Sequence, residues 1–368
     1  MRIVQLLPRM DDGELAVAAM EFAAELVRQG HESIVISAEG ALVSRLTLHG
    51  SRHIPLSVHR ASWRRPRMVR RLRKLLQTLE ADVLHTHGPA ASWLGWRAWR
   101  KLPEGGRPKL VTAAHEMPQN GLLRGHIRSR ALARGEQVLA ASQALSGRLQ
   151  ARYPTILREP PAVVYRGVNT REMDSNAPIS GHWHQRLLNQ FPQLEGRHWL
   201  LLPADVGPGQ GQQQFLQLLA GLAEKRDDVF GVMIGDAVAG QEKFALKLER
   251  QAADMGLSDK VLFLGRRRDM REFYATARIT FAFSDQAGGR SVAQALAMGC
   301  PVISCDGGIG NELTRCCFPR GACDGYDPEQ VEALTLDILR SADPVSFSGF
   351  SLRDVTARTL ALYQEQPA

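Results

Sequence analysis

The stretch Ile279-Thr-Phe-Ala-Phe-Ser-Asp-Gln-Ala-Gly-Gly-Arg-Ser-Val-Ala-Gln-Ala-Leu-Ala-Met-Gly-Cys-Pro-Val-Ile-Ser-Cys-Asp306 decides the fold. Ile279–Phe283 is a continuous apolar run of strand length, and Pro301–Cys305 is a second. Between them a polar, glycine-bearing loop opens a helix that starts near Gly289, and Gly299 stands where a helix stops. Ala293, Ala295 and Ala297 let that helix lie close against a sheet. Strand, glycine loop, helix and strand make the unit that offers free backbone N–H groups to a phosphate or a sugar hydroxyl.

The same rhythm runs outward in both directions. Strands His198–Leu202, Val229–Ile234 and Val261–Leu264 alternate with helices Gln212–Glu224, Gln241–Met255 and Asp269–Ala275 ahead of the stretch. Helices Pro328–Ser341 and Leu352–Gln364 follow it. The first half carries strands Arg2–Leu7, Ser33–Ser37, Asp82–His85, Leu110–His115 and Gln137–Ala141, with Val163-Val164-Tyr165 closing the series. Its helices are Leu15–Arg28, Met68–Leu79, Ala91–Arg100, Leu122–Ala133 and Ser142–Arg152. Apolar strands alternating with helices predict parallel sheets covered on both faces. A chain of 368 residues is too long for one ordinary core. The reading is therefore α/β with two Rossmann-like doubly wound domains, 1–168 and 197–350, facing across a cleft. Residues 169–196 are a linker with one amphipathic helix, Trp183–Gln190. Residues 351–368 form a last helix.

Composition narrows the class. No run approaches the roughly eighteen apolar residues of a membrane span. The start, Met1-Arg-Ile-Val-Gln-Leu-Leu-Pro, enters a strand at once and lacks the apolar core of a signal peptide, so a cytoplasmic location is expected. The five cysteines, Cys300, Cys305, Cys316, Cys317 and Cys323, are an odd number with no zinc spacing and no CxxC pair, which reads as free thiols without metal. Charge is uneven. The formal net charge is +13 over residues 1–168 and −5 over 169–368. A basic first half suggests an anionic partner there.

Much of that excess lies in Arg60–Lys74, where Arg60, Arg64, Arg65, Arg67, Arg70, Arg71, Arg73 and Lys74 occur without an acid. Met68, Leu72, Leu75, Leu76 and Leu79 recur at helical spacing, and Trp63 stands at the entrance. The reading puts the leucines inward and the arginines toward a membrane surface of phosphorylated, anionic lipid. No aromatic interleaving or recognised module points to nucleic acid.

The Ile279–Asp306 block resembles the donor-site signature of the retaining nucleotide-sugar glycosyltransferases of family 4, which have the two-domain GT-B fold. In that family two glutamates flank the glycine turn, ahead of Ala-Met-Gly-x-Pro-Val-Ile. Here Gln286 and Gln294 stand at the glutamate positions while Gly288, Gly289, Arg290 and Ser291 keep the frame. The loop Pro203-Ala-Asp-Val-Gly-Pro-Gly-Gln-Gly ordinarily carries an arginine and a lysine that neutralise the departing diphosphate. This chain has Asp205 and Gln210 there, followed by Gly211. Arg290 and the run Arg266-Arg-Arg268 are the replacements to weigh, as phosphate contacts or as a solvated rim.

In the first half, Asp12-Gly13-Glu14 lies where relatives have a glycine pair near the diphosphate. His115 matches the family's histidine beside the donor sugar. Tyr165-Arg-Gly-Val-Asn169 matches the interdomain hinge, and Glu312 an acidic residue beyond the donor loop. His85-Thr-His87 places two imidazoles on one side of a strand end, as site residues or as metal ligands.

The resemblance implies transfer of a sugar, with retention and without cofactor or metal, from a nucleotide-diphosphate sugar. Its expected acceptor is a lipid-linked or phosphorylated glycan such as lipopolysaccharide core. Catalytic roles fall to His115 and Gln286; nucleotide binding to Gly13, Asp205, Gln210, Gly211, Arg266, Gly288, Gly289, Arg290, Ser291 and Gln294; membrane or acceptor contact to Arg64, Arg65, Arg70 and Arg71. Such a protein would sit peripherally on the inner face of the inner membrane. The alternative is a glycosyltransferase fold without turnover, acting as a binding or scaffold protein.

Overall fold

The structure, a computed structural model, describes residues 1–11, 13–58, 65–116, 129–284, 288–305, 307–341 and 343–365, with the backbone alone for residue 65. Its contacts divide the chain into two compact units, Met1–Gly167 with Leu352–Ala368, and Val168–Ser351.

The first unit is built on strands β1 (Arg2–Arg9), β2 (Glu32–Ala38), β3 (Arg52–Pro55), β4 (Val83–His87), β5 (Lys109–Ala114), β6 (Gln137–Ala140) and β7 (Ala162–Val163). They pair in parallel in the order β3-β2-β1-β4-β5-β6-β7. The helices are α1 (Glu14–Arg28), α2 (Val43–Leu48), α3 (Arg65–Leu79), α4 (Gly88–Trp99) and α5 (Gln143–Arg152). Strand order reverses between β1 and β4, so the carboxyl ends of those strands open a crevice.

Core packing in this unit follows the hydrophobic pattern. Val69, Leu72, Leu76 and Leu79 of α3 are buried against Val4, Leu6, Ile36 and Leu84 of the sheet and Leu94 of α4. Arg67, Arg70, Arg71 and Lys74 stay exposed on the other side. Each fully buried leucine contributes about 1.5–3 kcal/mol, which orients the helix regardless of what the arginines do. At Gly95 of α4 a Cβ would lie 2.7 Å from Thr86 Cγ2, so glycine sets the close approach of helix to strand.

The second unit holds β8 (His198–Pro203), β9 (Val229–Ile234), β10 (Val261–Leu264), β11 (Ile279–Ala282) and β12 (Val302–Ser304), in the parallel order β10-β9-β8-β11-β12. Around it lie α6 (Gly181–Gln190), α7 (Gln212–Ala223), α8 (Glu242–Asp254), α9 (Met270–Thr276), α10 (Gly288–Ala297), α11 (Ile309–Cys317) and α12 (Pro328–Arg340). Here the reversal lies between β8 and β11. Within residues 169–196, Trp183 of α6 is buried and its Nε1 donates to Asp269 Oδ2 at 2.6 Å.

The last helix, α13 (Leu352–Gln364), buries Leu360 and Tyr363 against Ile3, Leu26, Val83 and Val111 of the first unit. Gly167 makes room for it, since a Cβ there would lie 2.7 Å from Leu352 Cα. Val168 N, in the second unit, donates to Phe350 O at 3.0 Å.

Both sheets are parallel and Rossmann-like, as the sequence pattern requires. Local readings differ at four elements. α2, β3 and α11 appear where the sequence reading had no element. α2 has six residues, β3 offers only Ile54 to the core, and α11 holds Gly310, Asn311 and two cysteines, so none has a clear period. Of the helix expected over Leu122–Ala133, residues 117–128 lie outside the described residues. Its described end, Arg130–Arg134, is a 3₁₀ turn rather than α-helix.

Candidate functional site

In the second unit, register builds the site. Pro203, Ile234 and Leu264 are successive partners across β8, β9 and β10. Asp205, Asp236 and Arg266 are each the second residue beyond those partners, so the three side chains meet at the strand ends. Arg266 Nη2 lies 3.4 Å from Asp205 Oδ2, and Arg266 Nε 3.6 Å from Asp236 Oδ2. Asp236 Oδ1 also accepts from Arg266 N at 2.8 Å. The cluster carries formal charge −1, and all three side chains are exposed, Arg266 by 65%. Exposed ion pairs of this kind contribute about 0–1 kcal/mol. The guanidinium is therefore held loosely.

Beside this cluster, Gly211 caps α7 at φ +94°, a conformation that favours glycine. A Cβ there would lie 2.7 Å from Phe283 Cβ, so the amino end of α7 abuts the end of β11. Gln210 N donates to Gly207 O at 3.2 Å, and Gln212 Nε2 to Asp205 O at 2.9 Å, closing the loop as a turn. Gln212 Oε1 is buried with no hydrogen-bond partner. Gly288 and Gly289 open α10, with Gly289 close to Ile309 of α11. Arg290, Ser291 and Gln294 are half-buried on the first turns of α10, and Glu312 lies in the first turn of α11. Arg290 lies near enough to Tyr274 to oppose the rise in phenol pKa that burial causes. Arg267 pairs with Asp269 at 2.7 Å and faces Phe273, so of the Arg266–Arg268 run it is already engaged. Gln286 lies outside the described residues.

In the first unit, Gln5 and His85 are register partners on β1 and β4, and His87 is two residues further on the same face. His87 pairs with Ala113 of β5, two residues before His115. The face thus gathers one amide and three imidazoles. Gln5 Nε2 donates to Ala19 O at 3.2 Å, which leaves its oxygen to accept from His87 Nε2 at 3.0 Å. His87 Nδ1 is then the acceptor for the N–H of His115 Nε2, at 3.1 Å. This assignment leaves His115 Nδ1 as a lone-pair acceptor.

Burial pushes all three imidazoles toward the neutral form. His115 falls to about 4, by burial and then by Arg166; His85 falls to about 3, by burial and then by His115. His87 lies well below the ordinary value for the same reason. Arg166 Nη2 is itself 3.4 Å from Glu21 Oε2. On the far side, the Tyr363 hydroxyl bonds His85 Nδ1 at 2.6 Å, while His85 Nε2 is buried without a partner.

Gly13 caps α1, its N–H donating to Asp11 Oδ1 at 3.3 Å; Asp12 lies outside the described residues. Among the described residues, no group of three or more His, Cys, Asp or Glu could hold a metal ion. The five cysteines are free thiols. Gln5, Tyr363, Asp236 and Arg166's pair with Glu21 were missed in the sequence. The signal for Asp236 was its common offset from the strand ends with Asp205 and Arg266, and that for Gln5 its register with His85; both are visible only once the strand order is known.

The basic segment divides. Arg70 and Arg71 are exposed on α3, Arg64 lies outside the described residues, and so does the side chain of Arg65. No helix among the described residues is long and apolar enough to cross a membrane. Facing α3, α4 carries three tryptophans, each beneath a guanidinium: Arg97 over Trp93 (5.2 Å), Arg100 and Arg134 over Trp96 (4.7 and 4.1 Å), and Arg107 over Trp99 (4.9 Å).

Known proteins share this fold. Residues 15–172 match the family model Glycosyltransferase Family 4, and residues 188–343 match Glycosyl transferases group 1. No curated protein matches the chain in sequence. Among solved structures, a glycosyltransferase from Rickettsia africae ESF-5 superposes with a TM-score of 0.74 at 19% identity, over 99% of this chain and 98% of that one. Anabaena HepE in complex with UDP gives 0.73 at 20%, over 100% and 96%. WaaG, a glycosyltransferase involved in lipopolysaccharide biosynthesis, gives 0.63 at 16%, over 99% and 96%. At these identities the likeness concerns the fold.

Proposed function

The chain is built from a Glycosyltransferase Family 4 domain and a Glycosyl transferases group 1 domain on two Rossmann-like sheets of the GT-B kind, and from that premise we infer a glycosyltransferase fed by a nucleotide-sugar donor. The observation that carries this reading is the turn at Gly211, which abuts Phe283 at the end of β11 and is tied through Gln212 to Asp205, the partner of Arg266, beside the β8/β11 reversal. Two helix N-termini offer backbone N–H groups to a diphosphate there, and each charge-assisted contact to phosphate is about twice a neutral one. Arg266 and Arg290 supply the positive charge that the loop itself lacks. A fold relative, HepE, is known with UDP and with UDP-glucose, which supports a uridine nucleotide.

The exchange is a matter of magnitude. Arg266 gives up exposed pairs worth about 0–1 kcal/mol and gains a charged hydrogen bond worth about 1.5–3 kcal/mol. Gln294, along α10, hydrogen-bonds ribose hydroxyls in place of a carboxylate, and Gln286 takes the position beside the sugar. His115 offers Nδ1 to a sugar hydroxyl. Transfer proceeds with retention and without metal. The acceptor is a lipid-linked envelope glycan, such as lipopolysaccharide core, reached by a protein held peripherally at the inner membrane through its basic first unit.

A second reading, a non-catalytic binding or scaffold protein, is favoured by one specific observation: Asp205 and Asp236 set two carboxylates against Arg266, a balance of charge that opposes a leaving diphosphate. NMR of each nucleotide sugar incubated with the protein decides between them. Slow release of free sugar with the anomeric configuration kept supports turnover. Binding without any release over days supports the scaffold.

A further inference from the structure

Between α3 and α4, in the first unit, lies a groove of about 340 Å³. Arg70 and Arg73 enter it from α3, and Trp93, Arg97 and Lys101 from α4 and the turn after it, over a floor that includes Val69. Among the described residues, no carboxylate lines it. Among the described residues none of the four cations has an acidic partner, and Arg97 is engaged only by the Trp93 face. Arg73 is half-buried, and its Nε is buried with no hydrogen-bond partner. A buried N–H of a charged group without an acceptor is costly to leave unmade. Four like charges around one concavity also repel each other, and a dianion would relieve both costs.

We propose that this groove is a binding site for a phosphomonoester, with Arg70, Arg73, Arg97 and Lys101 holding the phosphate and Trp93 covering the group that carries it. Two charges on the phosphate match the four cations better than the single charge of a phosphodiester. The volume exceeds what a phosphate ion fills, and the indole gives an apolar face against which a sugar ring or glycerol backbone lies. Arginine fits the role twice over, since its fork matches phosphate oxygens and its plane stacks on the indole. The site deepens the acceptor-side reading of Arg70 and rests on it for the identity of the ligand. It does not rest on donor binding by the second unit.

Calorimetry at low ionic strength with inorganic phosphate, glucose 6-phosphate and glucose tests the chemistry. Sedimentation with vesicles of phosphatidylcholine alone, or with added phosphatidic acid or phosphatidylglycerol, distinguishes the source. Glucose 6-phosphate is expected to bind and glucose not to bind. Arg97→Gln with Lys101→Gln, both on the α4 side, should weaken phosphate binding at least tenfold while leaving UDP affinity within about twofold. Arg73→Lys, which keeps the charge and loses the fork, should also weaken it. Preference for phosphatidic acid over phosphatidylglycerol, lost in the double variant, assigns the phosphate to a lipid; binding of the soluble ester without that preference assigns it to a free or glycan-borne sugar phosphate.

The proposal is overturned if none of the phosphomonoesters binds, if glucose binds as well as its phosphate, or if the double variant binds as tightly as the parent. Loss of UDP binding with phosphate binding intact would overturn the donor reading alone.

Discussion

Asp205, at the position where the resembled family would carry a cation, holds Arg266 together with Asp236. Asp205→Asn should release one of those pairs and tighten UDP binding by about fivefold, the most an exposed pair is worth. Unchanged or weaker binding, read by calorimetry, would mean that Arg266 does not serve the nucleotide. Gly211 makes a second test. Gly211→Ala meets both the positive φ and Phe283, so it should lower stability by about 1–3 kcal/mol and weaken UDP binding; an unaffected melting midpoint would contradict the geometry.

The imidazoles give a pH test. In the unfolded chain each titrates near its ordinary 6.5, whereas His115 folds with a pKa of about 4 and His85 of about 3. The unfolded state therefore binds more protons as pH falls below 6.5. Stability should be level above that value and decline from 6.5 toward 4, by up to about 1.4 kcal/mol per pH unit for each histidine. His115→Asn should flatten the slope. A midpoint that stays constant from pH 7 to 4.5 would show that the imidazoles are not held neutral. His115 was legible as a strand-end residue, and His87 by alternation with His85. Gln5 and Tyr363 were not, because they lie far along the chain and only sheet order and α13 bring them there.

At the scale of elements, α3 was the most legible. Its leucine spacing marked the buried face, and the arginines had to fall on the other side. Leu72→Ala should cost about 2–5 kcal/mol, and Arg71→Ala no more than about 0.5 kcal/mol, in chemical denaturation. Equal costs would mean that the helix is oriented otherwise. β11, α10 and β12 were legible because a continuous apolar run, a small-residue helix and a breaker each state one local preference. β3 and α11 were not, since an edge strand with one inward residue and a helix rich in Gly, Asn and Cys owe their shape to packing by neighbours. The Asp205–Asp236–Arg266 cluster was hidden for a related reason. Asp205 and Arg266 stood out in their own loops and Asp236 did not, and the meeting of the three depends on register across β8, β9 and β10.

For the whole molecule, the division of charge, +13 over residues 1–168 and −5 over 169–368, parallels the two tasks proposed for it. The basic half is the one proposed to meet membrane phosphate, and Arg64, Arg65, Arg70 and Arg71 changed together to Ser should abolish sedimentation with anionic vesicles; sedimentation at the parental level would reject that role. The other half is proposed to bind the donor with backbone N–H groups and two borrowed arginines. Titration calorimetry of the folded protein with UDP-, GDP-, ADP- and CMP-sugars addresses that claim most directly. Saturable binding of at least one, the uridine form foremost, is the predicted result. Heat of dilution alone for every one of them would contradict it.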